Sequence, residues 1–327
     1  MCMRKAPYLS VIVCVFNEEG NSARLIEQIQ HALGALEYEL IYVNDGSTDQ
    51  TLNELRAVDN KRLRILDLQK NYGQSLALLA GIEAARGAFI VTLDGDLQND
   101  PADIHHLLNL AEQGDYDLVA GIRTHRQDNF LFRKLPSRLA GFFISRVMGM
   151  RWVDYGCSLK VFRADLAKRL RLYGELHRFI PVLAYLEGAR MTQMPVLHHP
   201  RQLGQSKYGL NRTLKVMSDL LLMVFLKKYL QKPMHLFGSW GLLSLAIGTG
   251  LDGYWLIERL SGFGAVNNSV LLIGIGCILA GFQFIGLGFV AELQMRTYYE
   301  SQQKKPYAVR KVYEQEVSPS RIEIGDF

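Results

Sequence analysis

At 327 residues, with 49% hydrophobic residues and a formal net charge of +5, the chain can hold a full α/β core of about 200 residues and an additional apolar module. The excess of basic residues accompanies apolar helical stretches instead of a polar groove lined with stacking aromatics, which argues against a nucleic-acid partner. The cysteines, Cys2, Cys14, Cys157 and Cys277, show no paired metal-binding spacing.

No cleavable signal is visible: Met1-Cys2-Met3-Arg4-Lys5-Ala6-Pro7 leads directly into a first strand, Leu9 to Val15. That strand runs into Phe16-Asn17-Glu18-Glu19-Gly20-Asn21, and Leu25, Ile26, Ile29 and Leu33 then recur at helical spacing, so a strand-loop-helix unit is predicted. A second strand, Leu40 to Val43, runs into Asn44-Asp45-Gly46-Ser47-Thr48-Asp49, where Ser47 or Thr48 is the expected cap of a helix beginning near Asp49. The apolar run Ala88 to Leu93 ends in Asp94-Gly95-Asp96-Leu97-Gln98. Taken alone, that acidic pair suits either a strand-end turn whose aspartates bond backbone amides or a clamp for a divalent cation bridging to a diphosphate. In open α/β sheets ligands gather at the carboxyl ends of the strands, so Glu18, Asp45, Asp94 and Asp96 are expected to converge on one crevice. Four acids in one cleft favour a metal-nucleotide site. Neither a Gly-x-Gly-x-x-Gly nor a Gly-x-x-x-x-Gly-Lys-Ser/Thr stretch follows the first strand, which removes dinucleotide and P-loop chemistry. His105, His106, His198 and His199 occur as adjacent pairs, an arrangement that seldom faces one metal, and are read as structural or surface residues.

Further along, 123–151 carries seven Lys or Arg against the single acid Asp128, interleaved with apolar residues such as Phe130, Phe132 and Phe142. The stretch 201–232 repeats the pattern, with seven basic residues against Asp219 around Leu220 to Leu226. Both suit helices lying along a membrane surface. Leu236 to Ile257 and Val270 to Ala291 are each long enough to cross a hydrocarbon core of about 30 Å, which takes about 20 helical residues. Lys227, Lys228 and Lys232 precede the first span and Arg296, Lys304, Lys305, Arg310 and Lys311 follow the second, while only Glu258 and Arg259 charge the intervening 258–269 loop. The positive-inside rule therefore puts both flanks in the cytoplasm and that loop outside. A reducing cytosol also argues against disulfides. The expected organisation is a domain at 1–208 containing an interfacial helix at about 130–149, a juxtamembrane amphipathic helix at 209–232, spans at 236–257 and 270–291, and a cytoplasmic tail at 296–327.

Phe-Asn-Glu-Glu, Asn-Asp-Gly-Ser-Thr-Asp, Asn71-Tyr72-Gly73-Gln74 and Asp-Gly-Asp-Leu-Gln-Asn together resemble a GT-A glycosyltransferase of family 2. Arg123 to Asp128, Asp154 to Lys160, Phe179-Ile180-Pro181 and Arg201 to Tyr208 extend that resemblance to the polyprenyl-phosphate glycosyltransferases over nearly the whole chain. Within that group it resembles the bacterial undecaprenyl-phosphate aminoarabinose transferases most, and is similar also to glucosyl carriers and dolichyl-phosphate mannose synthases. Gly95 is a departure, since the aminoarabinose enzymes usually carry alanine there.

The resemblance implies a Rossmann-like GT-A domain at the inner membrane that moves a sugar, with inversion, from a nucleotide-diphosphate donor to a polyprenyl phosphate. UDP is preferred over GDP as the nucleotide and undecaprenyl phosphate is the expected lipid. Asp96 directly, and Asp94 directly or through water, are expected to hold Mg²⁺ or Mn²⁺, with Gln98 orienting that shell. Phe16, Glu18 and Asp45 are expected around the base, and Arg201, Ser206 and Lys207 over the donor diphosphate. Arg123, Arg126, Lys134 and Arg138 are the candidates for the acceptor phosphate, with Arg123 and Arg138 favoured because arginine grips phosphate bidentately. The family motif puts Asp154 near the acceptor, as a base or as an orienting group. Relatives suggest a homo-oligomer, a tetramer by preference. A processive polysaccharide synthase should carry Gln-x-x-Arg-Trp, but Arg151-Trp152 is preceded by Met148; intact Asp94, Asp96, Asp154 and Arg201 argue against a catalytically silent membrane scaffold.

Overall fold

The computed structural model describes residues 6–123, 149–150, 152–200, 225, 229, 232–262 and 267–301. Strand β1 (Leu9–Val15) is apolar on both faces, as a strand flanked by two helical layers must be. Helix α1 (Ser22–Leu33) buries Leu25, Ile26, Ile29 and Leu33, the residues whose spacing predicts it. Each such burial contributes about 1.5–3 kcal/mol. The helix stops at Gly34, whose amide donates back to the Gln30 carbonyl at a positive φ.

Then follow β2 (Tyr38–Asn44), α2 (Thr51–Ala57), β3 (Leu63–Asp67), α3 (Gln74–Ala84), β4 (Phe89–Asp94), α4 (Asp103–Gln113) and β5 (Leu118–Arg123). After the undescribed stretch come β6 (Lys160–Arg163), α5 (Ala164–Arg169), a 3₁₀ turn at Leu176–Phe179, α6 (Ile180–Leu186) and β7 (Met191–Val196). The expected cap of α2 is corrected. Ser47 instead accepts the Asn17 amide at 2.9 Å, the helix starts at Thr51, and the Thr51 amide donates to Asp49 Oδ1 at 3.0 Å.

These strands form one seven-stranded sheet in the order β3-β2-β1-β4-β6-β5-β7. All described pairings are parallel except those of β6, which runs antiparallel to both β4 and β5. Side chains of opposite parity feed two cores. Ile12, Ile41, Ile90 and Phe162 pack with α3, α5 and α6. Val11, Val13, Leu40 and Val91 pack with α1, α2 and α4 on the other face. Because β6 is reversed, its first residue, Lys160, enters beside the carboxyl ends of β4 and β5.

Two helices follow, α7 (Pro233–Ser261) and α8 (Asn268–Ser301), and they contain both predicted spans. The boundaries differ from expectation. Glu258 and Arg259 belong to the last turns of α7 instead of the connecting loop, and α8 continues past 296 into the stretch expected as tail. Only 17% and 11% of their apolar stretches are buried, with Trp240, Leu243, Leu272 and Phe282 among the exposed side chains. An apolar surface of that extent suggests membrane association. The pair is tight where glycines meet: a Cβ on Gly248 would lie 2.6 Å from the Gly274 carbonyl oxygen, and one on Gly241 2.9 Å from that of Gly281. Of the expected interfacial helix at about 130–149 only residue 149 is described, and of 209–232 only Phe225, Tyr229 and Lys232.

Candidate active site

The register of the sheet sets Cys14 beside Asp94 and Val15 beside Asn44, so the carboxyl ends of β2, β1 and β4 open side by side. Their loops are laced together. The Asp45 amide donates to the Val15 carbonyl at 2.9 Å, the Thr48 amide to Asn17 Oδ1 at 2.8 Å, and the Glu18 amide to Thr51 Oγ1 at 2.9 Å. Phe16 and Glu18 stand half-buried at this edge, where Glu18 accepts from Asn21 Nδ2 at 2.8 Å.

Asp45 carries a structural duty that its motif does not reveal. It is 3% exposed, and its two carboxylate oxygens accept the Tyr72 and Gly73 amides at 2.8 and 2.9 Å, where the chain enters α3. A carboxylate at a helix start complements the helix dipole. Gly46 permits this approach: at φ +68 it lies so close to Lys70 and Asn71 that a Cβ would sit 2.5–2.6 Å from their backbone atoms.

Asp94 and Asp96 follow as the strand ends. Gln74 Nε2 donates to Asp94 Oδ1 at 2.8 Å, and the Ser158 side chain also bonds the Asp94 carboxylate. Burial first, and then the neighbouring Asp96 charge, push the Asp94 carboxyl up to about 6. Leu97 is held at φ +60, a left-handed backbone that costs a non-glycine residue about 1–2 kcal/mol, so strain is stored within the acidic loop. Gly95 is packed as well, since a Cβ there would meet Val15 Cγ1 at 2.5 Å; alanine at this position needs a shift of Val15.

Among the described residues no three His, Cys, Asp or Glu side chains gather as a metal cluster. The Asp94–Asp96 pair fits Mg²⁺ or Mn²⁺ nonetheless, because such ions keep several non-protein oxygens and take one or two carboxylates. The Asp96 charge opposes ionisation of Asp94, and a divalent cation relieves that opposition. Gln98 holds the acidic loop through its backbone amide, which donates to Asp96 Oδ1 at 3.3 Å, while its Nε2 donates to the His199 carbonyl at 3.3 Å and its backbone carbonyl accepts the His199 amide at 2.8 Å. With the Asn99–His198 bridge, this lays the segment 198–200 along the acidic loop, immediately before Arg201. Of the histidines, His105 contacts the Ala32 carbonyl and His199 Nε2 lies 3.4 Å from Asp100.

Across the reversed strand stands a second acid. Arg123 Nε and Nη2 reach Asp154 Oδ2 and Oδ1 at 2.8 and 2.9 Å, and the Arg123 amide adds a contact at 3.2 Å. Burial alone would raise the Asp154 carboxyl, but the paired guanidinium and the Gly156 and Arg123 amides hold it below the usual carboxylate range. Arg123, a candidate for the acceptor phosphate, is therefore bidentate to Asp154. Arg126, Lys134, Arg138, Arg201, Ser206 and Lys207 lie outside the described residues.

A strap joins the two acids. Ser158 takes Thr92 Oγ1 on its carbonyl and Asn99 Nδ2 on its hydroxyl, both at 2.7 Å, while Lys160 Nζ donates to the Cys157 carbonyl. Burial lowers the Lys160 pKa, and the Asp94 and Asp154 charges work against that. Gln74, Ser158 and Lys160 contact this site without being singled out among the candidates in the sequence. A signal for Gln74 existed, because Asn71-Tyr72-Gly73-Gln74 lies just past the carboxyl end of β3, where the strand-end rule looks for ligands.

A model of glycosyl transferase family 2 matches residues 10–171. A dodecaprenyl-phosphate galacturonate synthase of Rhizobium johnstonii is 40% identical over 319 residues, covering 94% of this chain and 93% of its own. An undecaprenyl-phosphate 4-deoxy-4-formamido-L-arabinose transferase of Yersinia enterocolitica is 34% identical, with 98% of each chain covered. Among solved structures, glucosyl-3-phosphoglycerate synthase of Mycobacterium tuberculosis, in complex with Mn²⁺ and UDP-glucose, superposes with a TM-score of 0.54 at 15% identity. It covers 68% of this chain and 79% of its own, and is similar in fold.

Proposed function

Since the chain belongs to glycosyl transferase family 2 and moves a sugar onto a polyprenyl phosphate to give a lipid-linked monosaccharide, we propose that its donor is a UDP-sugar bound with Mg²⁺ or Mn²⁺. The sugar we propose is galacturonate or a 4-substituted arabinose, as in the names of the two relatives. The observation that carries the assignment is the pair of acidic centres, Asp94–Asp96 and Asp154–Arg123, joined by one strap at the carboxyl end of a GT-A sheet.

Asp94 and Asp96 would hold the metal, which when bound offsets charge on the departing diphosphate. Gln74 and Ser158 fix the Asp94 carboxylate from α3 and from the strap. Phe16, Glu18 and Asp45 border the pocket for the base. Arg201, Ser206 and Lys207 are assigned to the donor phosphates, and Arg126, Lys134 and Arg138 to the lipid phosphate.

An acceptor phosphate oxygen attacks the anomeric carbon, forming the new carbon–oxygen bond as the bond to UDP breaks and the electron pair leaves with UDP. A phosphate monoester has a second pKa of about 6 and is largely dianionic at neutral pH, so the step needs no base. Asp154, held ionised by Arg123, is a poor proton acceptor and serves to aim that guanidinium. In our reading its role is orientation.

We assign the catalytic domain and the tail to the cytoplasm, from the basic residues flanking α7 and α8, and a homo-oligomer, tetrameric by preference, to the assembly. The test is to incubate purified protein with undecaprenyl phosphate, Mn²⁺ and a panel of UDP- and GDP-sugars, and to detect lipid-linked sugar by mass. Product from a UDP-uronic acid or UDP-4-formamidopentose alone supports the assignment; product only from a GDP-sugar refutes the donor.

A further inference from the structure

Lys160 is the only lysine or arginine among the buried polar side chains of the described residues, with 3% of its surface exposed. A buried ammonium is costly unless it is paired, and apolar replacement of such groups is often neutral or stabilising, so packing alone does not explain a lysine here. Its position is specific. As the first residue of the reversed strand it pairs in register with Thr92 of β4 and Ala120 of β5, two residues below Asp94 and three below Arg123. It shares the parity of Phe162, Ile90 and Asp94, so it lies on the sheet face covered by α3. Its ammonium grips the Cys157 carbonyl in the strap between Asp154 and Ser158. Asp94 and Asp154 are the carboxylates whose charges reach it, and Arg123 is the nearby cation.

We infer that Lys160 is a positioning residue whose ammonium, donating to the Cys157 carbonyl, supplies positive charge beneath both acidic centres, and so makes the site accept a second phosphate-bearing anion once the metal and donor are in place. Lys160 and Arg123 are the cations whose charges act on Asp94, and Arg123 is already bidentate to Asp154. Removing the lysine charge leaves a more negative site. A more negative site attracts a divalent cation more strongly and repels a dianionic lipid phosphate. The two effects therefore have opposite signs, whereas loss of a merely structural residue would loosen the carboxylates and weaken both. The inference rests on Asp94 and Asp96 as the metal carboxylates.

Two variants separate charge from hydrogen bonding. Lys160→Gln keeps an N–H donor for the Cys157 carbonyl and loses the charge; Lys160→Met loses both. Mn²⁺ binding to the full-length protein in detergent, followed by electron paramagnetic resonance without and with UDP, should be as tight as in the parent or several-fold tighter in both variants. The KM for undecaprenyl phosphate should rise about tenfold while the KM for the UDP-sugar moves much less. Parallel weakening of Mn²⁺ binding and of turnover, or an unmoved acceptor KM in Lys160→Gln, would overturn the inference. So would a Lys160→Gln protein that fails to fold, since the charge would then serve folding. Should Asp96→Ala leave Mn²⁺ binding intact in the same titration, the metal assignment fails, and that failure is read separately from the lysine variants.

Discussion

Two aspartates at the same end of one sheet are driven in opposite directions. Asp94, closing β4, is pushed up to about 6 by burial and by the adjacent Asp96. Asp154, across the reversed strand, is held down because Arg123 grips both its oxygens. Residue type does not decide what a carboxylate does here; its nearest charge does. An acid paired with an acid is primed to take a cation, and an acid paired with an arginine is committed to aiming it.

The hardest break of this contrast is removal of the cation site. Asp96→Ala should lower lipid-linked sugar formation by at least about a thousandfold, the scale lost with a major electrostatic element, while the fold persists in a thermal melt. Next comes Asp154. Asp154→Asn should cost about a hundredfold in turnover and destabilise the protein by about 3 kcal/mol, because it leaves the mostly buried Arg123 uncompensated. Arg123→Lys in the parent should also be impaired, since an ammonium cannot make the bidentate contact with Asp154.

A third break acts on the loop after β2. Gly46→Ala forces a Cβ onto the Lys70–Asn71 backbone and should destabilise by about 1–3 kcal/mol while raising the KM for the UDP-sugar, measured by melting and steady-state kinetics. The smallest effect belongs to Gln74→Ala, which frees one side of Asp94 and should weaken Mn²⁺ binding a few-fold with little change in stability.

Acidity sharpens the same comparison. Asp94 must lose its proton to hold a cation, so Mn²⁺ affinity should be flat above pH 6 and fall about tenfold per unit below it. For folding, a raised native pKa means that the Asp94 carboxylate opposes the metal-free fold above about pH 6, and this cost disappears as pH falls toward 4. Asp154 has the contrary sign. Its depressed pKa stabilises the fold above the usual carboxylate range, and that contribution is lost as pH falls through its lowered value. Mn²⁺ titrations and melts between pH 4 and 8 separate the two.

The edge where β1, β2 and β4 end was largely legible in the sequence because alternating β/α units place strand-end loops together by rule. Glu18, Asp45, Asp94 and Asp96 could be gathered at the ends of Leu9–Val15, Tyr38–Asn44 and Phe89–Asp94 without any coordinates. The Asp154 side was less legible. Four-residue β6 breaks the parallel pattern, and nothing in its composition says that Lys160 enters beside Asp94. Arg123 and Asp154 lie 31 positions apart, so each could be nominated but their pairing could not. The same holds for Asp45, whose hold on α3 needs the loop at Tyr72 to be seen in space. In the hairpin, Glu258 and Arg259 read as loop because they are charged, yet a helix can carry long charged side chains outward through its last turns, so α7 runs on to Ser261.

The account turns on Asp154 being an ionised partner of Arg123 and no proton acceptor, and the most direct test is the pH–rate profile of the Asp154→Asn enzyme beside the parent at saturating Mn²⁺. The expected result is a lower plateau with the acid limb near pH 6 retained, since at saturating Mn²⁺ that limb belongs to the second ionisation of the acceptor phosphate. Loss of the limb in the variant would make Asp154 the base and contradict the division of labour between the two aspartates.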